Sequence, residues 1–116
     1  MALAIKEYEG WTPVSRSFRN NNAGNCRYSS VGYLPIYEPV GKDSNNFAIF
    51  KNYDTGFLYL CNLLRYKIEA NPNQTLLQFM EVYAPVTDGN DPVKYAAFIG
   101  RRLGISVDYQ VKNLIV

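Results

Sequence analysis

One stretch constrains this chain more than any other: Arg19 to Tyr28, RNNNAGNCRY. Three consecutive asparagines, a glycine and a fourth asparagine stand between two arginines. Such a run suits neither a helix nor the interior of a strand. Asn and Gly tolerate left-handed backbone angles, and Asn side chains bond to nearby backbone groups. The stretch therefore predicts a tight, self-bonded turn. It follows a short amphipathic segment that ends in Glu9-Gly10-Trp11, so a carboxylate and then a rigid polar loop stand in series.

The remainder of the chain divides by its apolar spacing. Leu3, Ala4, Ile5 and Tyr8 predict a short helix over residues 3–10, with Gly10 as its stop. Residues 14–46 read as irregular, with turn chemistry at Ser15, Ser17 and Ser29-Ser30. Tyr33 to Val40 alternates, but Pro35 and Pro39 restrict it to an edge strand or extended loop. Gly41 to Asn46 is a turn, and Phe47 to Phe50 a short apolar strand, so the two extended pieces predict a small hairpin. Beyond it Asn52 or Asp54 can cap a helix that carries Phe57, Leu60, Cys61, Leu64 and Ile68 on one face. Thr75 with Gln78 fits a capping box for a helix through Leu76, Phe79, Met80 and Tyr83. Pro92 at a first helical position opens another through Val93, Ala96, Ala97, Ile99 and Leu103, with Gly104 as its stop and Asp91 as its cap. Val107 to Val116 reads as a last short helix.

This order predicts a single α+β domain over residues 1–116. It is mostly helical, with a small β-hairpin lobe and a cleft between that lobe and the helices. At 116 residues one core is sufficient. The net charge of +2 is scattered, with no basic run, so nothing points to nucleic acid. A modest positive charge suits an anionic polymer. No apolar run approaches a membrane span. The opening MALAIKEYEG carries charge too early for a cleavable signal peptide. Cys26 and Cys61 can pair, but nothing requires it, and Cys61 reads as a buried thiol in a helix.

The chain contains no histidine. That excludes Ser-His-Asp and Cys-His catalysis and the usual zinc sites, and leaves acid–base work to Asp, Glu, Tyr or Lys. Glu9 is the leading candidate. A glutamate at a helix end beside Tyr8 and Trp11 can be partly desolvated, which raises a carboxyl pKa and keeps the proton on. A protonated carboxyl is what a departing glycosidic oxygen needs. On periodicity alone, a glutamate in that place is more often simply solvated. A second carboxylate could be Glu38, Asp43, Asp54, Asp88 or Asp91, with Asp43 in the hairpin turn and Asp54 and Asp91 reading chiefly as caps. Asn20, Asn21, Asn22 and Asn25 offer amides for sugar hydroxyl and N-acetyl groups, or for their own backbone. Arg19 and Arg27 can anchor the loop or pair with carboxylates. No phosphate loop, metal-ligand spacing or nucleophile elbow is present.

Taken in order, Glu9-Gly10, Arg19 to Asn25, Phe47 to Phe50, Asp54-Thr55-Gly56, Tyr83-Ala84-Pro85, and Asn90-Asp91 with Tyr95 form a set that resembles small lysozyme-like muralytic domains of phages and prophages. Those domains occur in virion-associated transglycosylase or lysozyme-type proteins and in endolysins. Ala23, Asp54 and Gly89 stand where that pattern has Pro, Glu and Glu. The resemblance implies a lysozyme-like fold acting on the β-1,4 bond between N-acetylmuramic acid and N-acetylglucosamine, with Glu9 as general acid and then base. It also implies Asn22, Asn25, Arg27, Tyr28, Asp54 and Tyr83 as substrate-binding residues. It calls for no cofactor and no metal. Its partners would be peptidoglycan strands and other virion proteins, and its place a virion, or the bacterial cytoplasm before release to the wall. The same resemblance allows a relative that kept the fold as a structural or wall-binding protein without activity.

Overall fold

The computed structural model describes residues 1–29 and 35–116, and these are mostly helical with one two-stranded antiparallel sheet. The chain divides into two compact units, Ala2–Leu64 and Arg65–Val116, the latter including Met1.

In the first unit, α1 (Ala2–Tyr8) buries Ala2, Ala4 and Ile5, as the apolar spacing requires. Its last turn closes with the Glu9 N–H donating to the Ile5 carbonyl at 3.0 Å. Gly10 then takes φ +81°, a left-handed angle that glycine adopts without steric cost. A second helix, α2 (Arg16–Arg19), lies where the sequence reads as irregular. It has only four residues, too few to show a period, and Ser15 starts it by accepting the Phe18 N–H.

The expected hairpin exists but is displaced along the chain. Strand β1 is Gly41–Lys42, inside the segment that reads as a turn, and pairs with β2 (Ala48–Ile49) in the register Gly41↔Ile49 and Lys42↔Ala48. Of the segment expected as its first strand, Pro35–Tyr37 is a 3-10 turn, whereas Tyr33 and Leu34, like Ser30, lie outside the described residues. Prolines at 35 and 39 lack the N–H that a ladder needs, so pairing begins only beyond them. A further extended piece lies on β2: Ala48 N–H donates to the Cys26 carbonyl (3.1 Å), Tyr28 N–H to the Asn46 carbonyl (2.8 Å), and Arg27 bridges Phe47.

Helix α3 (Tyr53–Ala70) follows, and the boundary between the units falls inside it. Its cap is Asn52, whose Oδ1 accepts the Thr55 N–H at 2.8 Å. Asp54 is instead an exposed first-turn residue, where a carboxylate favours the helix dipole. Phe50, Leu60 and Leu64 join Ile5 as large buried side chains of this unit. Cys26 and Cys61 form no disulfide, and Cys61 is buried.

The second unit holds α4 (Leu76–Tyr83) packed on α5 (Pro92–Leu103). Thr75 and Gln78 form the reciprocal capping box, Asp91 accepts the Lys94 N–H, Pro92 stands in the first turn of α5, and Gly104 ends it in a left-handed conformation. Leu76, Phe79, Met80, Tyr95, Ile99 and Val111 are among its buried apolar residues. The chain end is not the expected helix. It is an irregular run of turns with one 3-10 turn, Val111–Asn113, stitched to the start of α4 through Leu77 N–H to Val107 O, Leu76 N–H to Tyr109 O, and Val111 N–H to Gln74 O.

Candidate functional site

The asparagine loop is the self-bonded turn that its composition predicts. Asn21 and Asn25 hold left-handed backbone angles, φ 51° and 47°. Three of the four asparagines turn inward. Asn20 Nδ2 donates to Asp43 Oδ2 at 2.9 Å, and the Asn20 carbonyl accepts the Phe50 N–H at 2.9 Å. Asn21 Nδ2 donates to the Phe50 carbonyl at 3.1 Å. Asn22 is 1% exposed. Its Nδ2 donates to the carbonyls of Cys26 and Ala48, both at 2.9 Å, and its Oδ1 accepts the Cys26 N–H at 2.9 Å. Every polar atom of that side chain is taken by backbone. Asn22 is thus a strut that ties the loop to β2.

Asn25 is the loop asparagine that reaches the candidate acid. Its Nδ2 donates to Glu9 Oε1 at 3.4 Å, and its Oδ1 accepts from Arg16 Nε at 3.3 Å. Glu9 is half-buried, one residue beyond the end of α1. The Arg16 guanidinium lies over the Phe47 ring, 3.6 Å from its centroid, and the exposed Arg27 approaches the same ring at 4.7 Å. Such contacts of a cation with an aromatic face are favourable. Arg16 thus joins three pieces that sequence reading treats separately: the helix-end glutamate, the asparagine loop and the Phe-Ala-Ile-Phe strand. Sequence reasoning missed it, because nothing in Ser15-Arg16-Ser17 separates a site arginine from a surface one.

Asp43, considered as a second carboxylate, braces the hairpin turn. Its Oδ1 accepts the N–H groups of Asn45 (2.9 Å) and Phe47 (3.0 Å). The Phe47 N–H and the Asn20 amide are the main reasons why its pKa lies below the ordinary 3.8, with the Asn45 N–H and the Arg16 charge adding to them and burial opposing. Tyr28 is half-buried and receives the Lys42 ammonium over its ring at 5.4 Å. Trp11, two residues after Glu9, packs edge-on against Tyr53 at 5.2 Å and against Phe18 at 5.3 Å. Lys6 Nζ donates to the Tyr53 hydroxyl at 3.2 Å.

Tyr83 belongs to the second unit. It stacks on Phe79 at 5.9 Å and meets Tyr95 edge-on at 6.5 Å. With Tyr66, Asn71 and Gln74 it lines a cavity of about 310 Å³. Among the described residues no cluster of three or more His, Cys, Asp or Glu is arranged to hold a metal, and no helix is long and apolar enough to cross a membrane. No protein-family model matches the chain, and no curated protein or solved structure matches it either.

Proposed function

We propose that this chain is a lysozyme-like domain that cleaves the β-1,4 bond between N-acetylmuramic acid and N-acetylglucosamine in peptidoglycan. One observation carries the reading: the asparagine loop, the most specific part of the resemblance, sends Asn25 to the carboxylate of Glu9. In the proposed reaction the Glu9 carboxyl gives its proton to the glycosidic oxygen as the C1–O bond breaks. The muramyl 6-hydroxyl then bonds to C1 and its proton returns to Glu9, which leaves an anhydro ring. If water attacks instead, the product is a reducing end. Neither route needs a metal or a histidine. Arg27, exposed, and Tyr28, half-buried, are the loop-end side chains proposed to meet the glycan. A virion component or endolysin of a phage is the setting that the resemblance favours.

A second reading has its own support. Asn20, Asn21 and Asn22 spend their amides within the fold, and Asp43 spends its carboxylate on a turn. A domain that kept this loop only as scaffolding would be a virion structural or wall-binding protein. Turbidity of purified cell walls separates the two. Wild type clears them, and Glu9→Gln, which keeps the volume and removes the ionisable group, lowers the rate at least ~10²-fold. Binding without clearing by the wild type gives the second reading. Mass spectrometry of the released fragments then distinguishes anhydro-muramyl from reducing ends.

A further inference from the structure

We infer that Arg16 is a positioning residue for Glu9 and acts through the side-chain amide of Asn25. The inference rests on the proposed role of Glu9 as general acid, and assigns a job to a side chain that the resemblance does not mention.

A guanidinium has only donors. The atom of Asn25 that faces Arg16 Nε must therefore be the amide oxygen, here at 3.3 Å. The other end of that planar group, the NH2, is then obliged to face Glu9, where it lies 3.4 Å from Oε1. The amide cannot turn end for end without setting NH2 against guanidinium, donor against donor. Arg16 thus decides that Glu9 meets a donor rather than an acceptor. An Oε1 that receives an N–H serves as acceptor, so Arg16 and Asn25 together commit that oxygen of Glu9 to accepting and set the direction of the carboxyl.

Arg16 is itself well placed to impose this. Its backbone is set by the Ser15-capped turn of α2. Its guanidinium rests on the face of Phe47 at 3.6 Å. The charge of Asp43 also attracts it. Asn25 has equally little freedom, because its N–H donates to the Asn22 carbonyl at 2.9 Å and its φ is 47°. Held at both ends, the amide fixes the direction of the carboxyl in the way that orienting partners fix metal-ligating histidines.

The test combines a rate with a spectroscopic readout that a merely structural arginine would not move. Arg16→Met keeps an apolar stem on Phe47 and removes every donor. It lowers the wall-clearing rate roughly 10- to 100-fold with little change in the wall concentration giving half-maximal rate. Arg16→Lys, which keeps a cation and a donor, restores part of the rate. In ¹⁵N spectra the Asn25 side-chain NH2 resonances move on Glu9→Gln in the wild type, and this response disappears in the Arg16→Met background. An undiminished response in that background overturns the inference. So do wild-type resonances that ignore Glu9→Gln. If wild type does not clear walls, the proposed enzymatic function fails by itself, and the resonances still decide the role of Arg16. Arg16→Gln, too short to span the gap, replaces Arg16→Met should the latter fail to fold, and is scored identically.

Discussion

At the scale of single residues, four chemically identical asparagines have four different jobs. The sequence shows that the loop bonds to itself, because no other use of so many asparagines beside a glycine is as economical for the backbone. It does not show which amide faces outward, because a loop has no period from which direction can be read. Asn22 and Asn25 look equivalent in the sequence, yet one is a strut within the fold and the other touches Glu9. This difference has a measurable consequence. Asn22→Ala removes three hydrogen bonds, to the Cys26 N–H and to the Cys26 and Ala48 carbonyls, and leaving a buried polar group unsatisfied costs about 1–3 kcal/mol. A loss of about 2–4 kcal/mol is expected in urea unfolding. Asn25→Ala, at a half-buried position, is expected to lose about 1 kcal/mol while reducing wall clearing strongly. Equal destabilisation by the two substitutions would contradict the division of labour.

At the scale of elements, legibility follows length. The three long helices announce themselves through spacing and caps, and the Thr75–Gln78 box and the Pro92 start are found where composition places them. Thr75→Ala should therefore lower the midpoint of urea unfolding by the equivalent of about 1 kcal/mol, with an unchanged denaturant slope. Helix α2 and strand β1 are too short to show a period, whereas β2 lies inside the Phe47 to Phe50 run that reads as a strand. The choice between Asn52 and Asp54 as the cap of α3 is likewise closed to sequence, since both residue types cap well. One element-scale constraint becomes visible only in three dimensions. A Cβ on Gly56 would stand 1.8 Å from the carbonyl oxygen of Asn21, because the first turn of α3 lies directly against the asparagine loop. Gly56→Ala cannot be accommodated by a side-chain rotation, so either the loop or the helix start must move. The expected result is a loss of more than about 3 kcal/mol in stability, or a folded protein whose Asn21 and Asn25 amide resonances are displaced together. Normal stability with unmoved loop resonances would show that the two backbones are not in contact.

At the scale of the whole molecule, the missing histidine makes the pH dependence unusually simple to interpret. Histidine is the one side chain whose ordinary pKa falls between pH 5 and 8, and this chain has none. No histidine titration therefore contributes to its stability between pH 5 and 7. The acid side is different. Hydrogen bonds from Phe47 and Asn20 hold the pKa of Asp43 below 3.8, so its folded value lies beneath its unfolded one. Its contribution is complete above the unfolded pKa and is lost as pH falls through the folded pKa, because the unfolded chain takes up the proton first. Melting temperature should then decline below about pH 4, and the decline should be shallower in Asp43→Asn. The missing histidine bears on activity too. If Glu9 is the proposed general acid it must carry its proton, so clearing is expected to fall as pH rises through its pKa. A one-proton alkaline limb at a pH where the protein is still folded cannot be unfolding and cannot be a histidine. Its midpoint would be the apparent pKa of the proposed general acid. Arg16→Met should displace that midpoint, because it releases the Asn25 amide that donates to Glu9. Loss of a donor to the ionised form raises a carboxyl pKa, so the limb should move to higher pH. A limb that moved to lower pH in Arg16→Met, or kept its place, would mean that the titrating group is not the one Asn25 touches.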